Sequence, residues 1–404
     1  MAGAGDAAGK PLRVTFIAGG LGKGGAEKQF LYMLRALQNV GAQVQVLTLT
    51  QGEYHEASLA QLGIKPVHVG QSNSQIVRIA RIVELVRAFR PHFIQATHFF
   101  SSFYAGIAGR LTRTPSIGAI RSDATMDTRN VGRVGPWLLR LPTVMLANSF
   151  NARENALKMG LTPDQVLVLH NVIDIAAFDR QFTATAPLVL DSGRVRIVMV
   201  GRLVPIKRME RFIQALADAR KQNPAIEGVI VGAGPEEAAL RETAASLGLN
   251  PDERDGWIHF LGERSDVPQI LALSDIYALT SDREGFPNVL LEAMAAAIPI
   301  IATPAGETPA LVKQGVNGLL VPFKDQQALC EAILQLADSA GLRRKLGSEG
   351  RRIVERQYGF PGLEQNLLEI YRTIAVQQKR ADTLAVINAI TAARLGEQTP
   401  PRGS

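Results

Sequence analysis

The sequence predicts an α/β chain of two doubly wound parallel-sheet domains facing a cleft, and three observations carry that prediction. Its 404 residues exceed the size at which one hydrophobic core stops growing, so two domains of roughly 150 to 200 residues follow. Apolar residues make up 46% of the chain against 20% charged, the composition of a globular protein. Short β-branched runs alternate with amphipathic, helix-length segments from end to end, the mark of βαβ units.

In the first half, strands are expected near 12–18, 44–50, 66–69, 93–97, 116–120, 143–147 and 166–169. Helices fill the gaps, clearest at 26–39 and at 75–89, where Ile76, Ile79, Ile82, Val83 and Val86 recur at helical spacing. Periodicity lapses after Asn171 and restarts at RVRIVMVG, 194–201. Further strands are read near 228–231, 258–261, 276–280, 299–303 and 318–321, and the pattern is helical from 325 onward. The expected division is a first Rossmann-like domain over 1–175, a connection over 176–193, a second Rossmann-like domain over 194–375, and a helix with a flexible tail over 376–404. Residues 1–10 and 396–404 read as unfolded.

Composition also excludes function classes. The single cysteine, Cys330, forms no internal disulfide, and no secretion signal or apolar run of about 20 residues is read, so a cytoplasmic location with at most peripheral membrane contact is expected. The six histidines lack metal-ligand spacing, and no Asp-x-Asp triplet offers a seat for a divalent cation beside a diphosphate. No metal and no cofactor are expected.

The strongest chemical signal is TSDREGFPNVLLE at 280–292. Glu284 lies in a strand-to-helix loop, Pro287 suits the first helical turn, and Asn288, Val289 and Leu290 open a helix whose backbone N–H groups point outward as an anion seat. Glu284 can then face sugar hydroxyls and Glu292, one turn on, a ribose. Arg202 and Lys207, after the first strand of the second domain, suit a diphosphate leaving group: a bidentate fork and a point charge. In GGLGKGGAEKQ at 19–29, Gly20, Gly22 and Gly25 fit a dinucleotide fingerprint, yet residues 46–52 supply no acid for a ribose. Gly24 and Gly25 are read instead as allowing close approach of a phosphate. His98, at a strand's carboxyl end, is positioned to bind a sugar hydroxyl or polarise an acceptor, whereas His170 reads as a packed connector.

Taken together, GGAEKQ, LHNVIDIAAF, GRLVPIKRMERFIQAL, VGAGPEEAAL and the run from IHFLGERSDVPQ to VNGLLVP closely resemble glycosyltransferase family four, of GT-B fold with two Rossmann-like domains. The resemblance is dense over about 194–323 and sparser before it. It implies retention of anomeric configuration, a UDP- or GDP-sugar donor and no obligatory metal. By the family pattern Arg202, Lys207 and Gly25 lie at the diphosphate, Glu284 at the donor sugar, Glu292 at the ribose, backbone from Phe286 to Val289 beside sugar and phosphate, and His98 is the active-site histidine of the first domain. One departure is Asn171-Val172-Ile173-Asp174, where the family has Asn-Gly-Val-Asp. The implied acceptor is a glycan or lipid-linked molecule in polysaccharide, lipopolysaccharide or glycolipid synthesis. A UDP-sugar 2-epimerase of related fold and a non-catalytic nucleotide-sugar-binding protein are the competing readings.

Charge is uneven. Residues 1–160 hold 18 Lys and Arg against 8 Asp and Glu, and residues 161–404 hold 26 against 29. Arg78, Arg81, Arg87, Arg90, Arg110, Arg113, Arg121, Arg129, Arg133 and Arg140 fall in one stretch interleaved with Phe89, Phe99, Phe100, Phe103, Tyr104 and Trp137. Contact of the first domain with an anionic membrane surface is therefore expected, and nucleic acid is not, since no binding motif accompanies the charge.

Overall fold

The computed structural model describes residues 10–122, 128, 132, 135–183, 193–251 and 256–397. The flexible tails read from the sequence, residues 184–192 of the expected connection, and Arg129 and Arg133 lie outside the described residues, apart from the tail margins at Lys10, Gly396 and Glu397. The chain divides into two compact units, one of Met1–Asn171 with Phe360–Ser404, the other of Val172–Gly359.

The first unit is built on seven parallel strands, β1 (Arg13–Ala18), β2 (Gln43–Thr48), β3 (Val67–His68), β4 (Phe93–Ala96), β5 (Ser116–Ile120), β6 (Val144–Ala147) and β7 (Val166–Val168). They lie in the order β3-β2-β1-β4-β5-β6-β7. Strands covered on both faces read as continuous apolar runs, and β4 to β6 are buried along their whole length. The helix Gly25–Asn39 buries Phe30, Met33, Leu34 and Leu37. The helix Gln75–Phe89 buries Ile82, Val83 and Val86, but Ile76, expected on the same face, is 80% exposed in its first turn.

The second unit carries six parallel strands, β8 (Val195–Val200), β9 (Ile226–Val231), β10 (Ile258–Phe260), β11 (Ile276–Leu279), β12 (Ile300–Ala302) and β13 (Gly318–Leu320), in the order β10-β9-β8-β11-β12-β13. On one face Phe212, Ile213 and Leu216 pack with Leu329, Ile333 and Leu336; on the other Leu290, Leu291 and Met294 pack with Leu279 and Val354. Among the described residues no helix is long and apolar enough to cross a membrane.

In each sheet the chain reverses direction of travel next to its first strand, between β1 and β4 and between β8 and β11. Loops leaving the carboxyl ends of such a strand pair splay apart and leave a crevice, so ligands gather there. The loops in question hold residues 19–24 and 97–101 in the first unit, and 201–208 and 280–287 in the second.

Two expectations about boundaries need correction. The helix Pro361–Gln377, expected to close the second domain, belongs to the first unit. Its Tyr371 is fully buried, stacks on Phe93 with ring centroids 4.7 Å apart, and donates its hydroxyl to Gln95 Oε1 at 2.7 Å. Asn39 Nδ2 donates to Glu364 Oε1 at 2.7 Å, and the Arg35 guanidinium lies 3.8 Å from the Phe360 ring centroid. The amphipathic pattern specified a buried face, and the partner for that face was the first sheet. Second, the expected connection opens with a helix, Ile175–Phe182, not a loop. Asp174 caps it by accepting from Ala177 N–H at 3.0 Å, and Arg351 grips Asp179 through two 2.7 Å bonds. Where the family has glycine and valine, Val172 and Ile173 are buried, and Ile173 N–H donates to the Tyr358 carbonyl at 2.9 Å.

Candidate active site

In the second unit, the loop after β8 makes a single 3-10 turn at Pro205–Lys207, and Arg208 leaves it with φ 52°. The Thr280 hydroxyl, at the end of β11, donates toward the Lys207 and Arg208 carbonyls at 3.1 and 2.8 Å. Held so, Lys207 Nζ reaches Glu284 Oε1 at 2.6 Å, with both side chains mostly shielded from water. The Ser281 hydroxyl donates to the same carboxylate oxygen at 2.6 Å. Arg202, on the same loop, is exposed and makes no side-chain bond to a described residue. One cation is thus fixed by an acid, while the other remains available to a ligand.

A second ion cluster braces these loops. Asp282 accepts from Arg208 Nε at 2.5 Å and from Arg211 Nη1 at 2.6 Å, and its N–H donates to the Ile206 carbonyl at 3.0 Å. Burial pushes the Asp282 carboxyl up, but the two guanidiniums outweigh it and hold it below the usual carboxylate range. From the other side, Gly306, at φ +56°, lies against the Glu284 backbone. A Cβ there would meet the Glu284 carbonyl oxygen at 1.9 Å, so only glycine permits this crossing.

Pro287 is the N-cap of the helix Asn288–Ala295, one position earlier than expected, where its lack of an N–H costs nothing. Asn288 and Val289 open the helix half-buried. The Phe286 side chain is in the core, its ring 5.8 Å from that of Tyr358, which leaves its backbone as the part able to line a site. Glu292 is half-buried one turn further on. Burial raises the Tyr277 phenol well above its ordinary value, its hydrogen bond to the Val200 carbonyl opposes the rise, and the carboxylates of Glu284 and Glu292 add to it.

In the first unit, Gly24 is the N-cap of the helix Gly25–Asn39, and Lys28 N–H closes the first turn on the Gly24 carbonyl at 3.1 Å. Glu27, at the third helical position, folds back so that its Oε2 would stand 2.1 Å from a Cβ at Gly24. Its Oε1 lies 3.1 Å from His98 Nε2, and the Thr97 hydroxyl lies 2.9 Å from His98 Nδ1. Burial raises the Glu27 carboxyl, but the contact with His98 leaves it below the usual range. The Glu27 carboxylate thus lies beside Gly24, on the side that a Cβ would occupy. The Leu21 N–H likewise bonds the Glu53 carboxylate, an acid just beyond the 46–52 window. The Phe100 ring, 48% exposed, stacks on His98 and rests on Gly19, where a Cβ would lie 2.0 Å from Cζ. The His170 ring packs edge-on against Phe150.

The sequence was compared with known families. Residues 23–177 match the model described as Glycosyltransferase Family 4, and residues 181–353 match that of Glycosyl transferases group 1. The chain belongs to the group 1, family-four glycosyltransferases. It is 30% identical over 185 residues to spore coat protein SA of Bacillus subtilis, covering 44% of this chain and 49% of that one. Over 201 residues it is 30% identical to a GDP-mannose-dependent monoacylated phosphatidylinositol monomannoside mannosyltransferase of Corynebacterium glutamicum, covering 48% and 49%. The match spans about half the length of these curated relatives. Among solved structures, Anabaena HepE in complex with UDP-glucose superposes with a TM-score of 0.75 at 23% identity, over 89% of this chain and 99% of that one. The two parallel-sheet units of this glycosyltransferase-family chain have the GT-B fold.

The sequence reading missed Glu27 in this family member, although an acid at the third helical position after a glycine N-cap was a visible signal. It also missed Asp282, whose two arginines lie more than 70 residues away in sequence. Of the aromatics assigned to a membrane-facing stretch, Phe99 and Tyr104 are buried, whereas Phe100 and Trp137 are about half exposed.

Proposed function

We propose that the protein is a retaining glycosyltransferase that moves a hexose from a UDP- or GDP-sugar to a glycan or lipid-linked acceptor in cell-envelope polysaccharide, lipopolysaccharide or glycolipid synthesis. The observation that carries this reading is the 2.6 Å Lys207–Glu284 pair at the switch point of the second sheet, with the exposed Arg202 on the same loop. A diphosphate arriving there meets two cations and the N–H groups that open the helix at Asn288. Charge developing on the departing nucleotide is stabilised by groups already in place, without a metal. Glu284, whose carboxylate is oriented by Ser281 and Lys207, accepts from donor-sugar hydroxyls, and Glu292 accepts from the ribose.

Gly24 and Gly25 provide close backbone approach, and His98, oriented by Glu27, serves the sugar or acceptor. Named ligands of relatives support both donor bases: UDP-glucose for HepE and GDP-mannose for the mannosyltransferase. The latter is named for a monoacylated phosphatidylinositol monomannoside, which supports a lipid-linked acceptor; the protein would meet it at the cytoplasmic membrane surface.

The test is release of UDP or GDP from a panel of nucleotide sugars, with and without lipid extract. Acceptor-dependent release with the product in the donor's anomeric configuration supports the reading. Interconversion of sugar epimers without transfer would establish the epimerase alternative, and binding without turnover the non-catalytic one.

A further inference from the structure

The arginine-rich stretch of the first unit contains a feature that donor chemistry does not use. A recess of about 420 Å³ is lined by Arg110, Arg113 and Arg380 with Ser116, Thr143 and Gln378. It lies at the amino ends of β5 and β6, since Ser116 opens β5 and Thr143 immediately precedes β6. The switch-point loops leave the opposite ends of the strands, roughly 16 Å away along a five-residue strand. The recess is therefore a separate place on the same unit.

Three guanidiniums converge there, and none is paired with a carboxylate among the described residues. Arg380 Nη2 donates to the Arg113 carbonyl at 3.0 Å and Arg110 Nη2 to the Arg140 carbonyl at 3.2 Å, contacts that hold the Arg380 and Arg110 side chains without neutralising them. Arg113 is held at φ 55° as the C-cap of the helix Ser102–Thr112, whose carbonyl end offsets part of the positive charge. Half an elementary charge at a helix end does not balance three arginines. The Ser116 and Thr143 hydroxyls already accept from each other's backbone N–H, at 3.2 and 3.0 Å, and each keeps its own proton to donate. Carboxylates are absent from the lining. Guanidinium forks and hydroxyl donors without a carboxylate beside them suit a tetrahedral oxyanion carrying more than one charge.

We propose that this recess is a binding site for a phosphate or diphosphate group, distinct from the donor site. The phosphate can belong to a lipid headgroup or to a free ligand, since both present the same oxyanion to the guanidiniums.

Full-length protein is titrated with inorganic pyrophosphate by calorimetry, and separately with phosphatidylcholine vesicles with and without phosphatidic acid. Wild type should bind pyrophosphate or the phosphatidic acid vesicles, and Arg113→Ala and Arg380→Ala should each weaken that binding at least tenfold. Arg110→Glu, an exposed position, provides a second variant should Arg380→Ala fail to fold. Response to pyrophosphate alone assigns a free ligand; response to the doped vesicles alone assigns a headgroup. Pyrophosphate bound at Arg202 and Lys207 would be indifferent to these substitutions. Affinity within twofold of wild type in every folded variant, or no binding of either probe by wild type, overturns the proposal. UDP binding by the variants is measured alongside, and its loss or persistence bears on the donor site only.

Discussion

Lys207 and Glu284 stand 77 residues apart in sequence and 2.6 Å apart in space, each shielded by the loop that carries the other. The pair ties the loops after β8 and β11 together, so they are held in mutual register before any ligand arrives. Such preorganisation is what makes a charge-stabilising site effective, because no reorganisation is needed as the reaction proceeds.

Glu284→Ala and Arg202→Ala should each lower kcat at least a hundredfold, because each removes a group set against charge or sugar in the transition state. Arg202 is exposed, so its variant should melt with wild type. Initial rates with a saturating donor, beside thermal melts, check this; a kcat within a few-fold of wild type in folded protein would reject the site.

Transfer should continue at an undiminished rate in excess EDTA. Arg202, Lys207 and the helix opened by Asn288 supply the positive potential that a divalent ion would otherwise give. Loss of activity on chelation, restored by Mg²⁺ or Mn²⁺, would overturn the leaving-group argument.

Glu27→Gln should cost about tenfold in kcat with little change in donor KM, because Glu27 acts through His98 by holding its Nε2 edge at 3.1 Å. The split between kcat and KM, read with the double variant, is the discriminating readout: kcat should fall in both Glu27→Gln and His98→Ala with donor KM held, and the double variant should lose little beyond His98→Ala alone. Losses that simply multiply would reduce Glu27 to a packing role.

Arg196 and Glu227 pair across β8 and β9, both almost wholly buried. Glu227→Ala should destabilise the second unit by about 3 kcal/mol, since it leaves Arg196 buried without its partner. Urea unfolding measures it, and a loss under about 1 kcal/mol would show that water reaches Arg196.

Acid should destabilise the protein with a defined sign. The hydrogen bond from Arg351 lowers the Asp179 carboxyl, although burial opposes it, and Asp282 is also lowered on balance. A carboxyl depressed on folding contributes stability above its unfolded pKa and loses it as pH falls through the folded value, so the melting temperature should drop below about pH 4. Asp179→Asn should flatten that acid limb, and melts from pH 7 to pH 3 compare the slopes.

Strand positions were legible because buried parallel strands are continuous β-branched runs, and β5 and β11 begin and end within a residue or so of where the pattern places them. Lys207 and Glu284 were legible as residue types at strand ends, but their pairing was not, because an ion pair across 77 residues leaves no periodic trace. Tyr104 illustrates the limit on aromatics. Its position among arginines resembled a surface belt, yet its ring is buried against Phe103, and the Arg78 guanidinium donates to its hydroxyl at 3.3 Å. Spacing identifies a buried face; which neighbour buries it is a tertiary fact, and the helix Pro361–Gln377 was assigned to the wrong sheet for that reason.

That helix also sets an order of events during synthesis. Gln95 sits in the middle of the first sheet with its amide oxygen turned to Tyr371, a residue made 276 positions later. While the ribosome works through the second unit, the first must wait with the Gln95 amide oxygen lacking the hydroxyl it accepts from and the Phe93 ring lacking its stacking partner. The second unit, continuous in sequence, can close first. A gene cut after residue 359 would release the earlier half permanently unfinished, and a nascent-chain pulse should find it protease-sensitive until the last helices emerge.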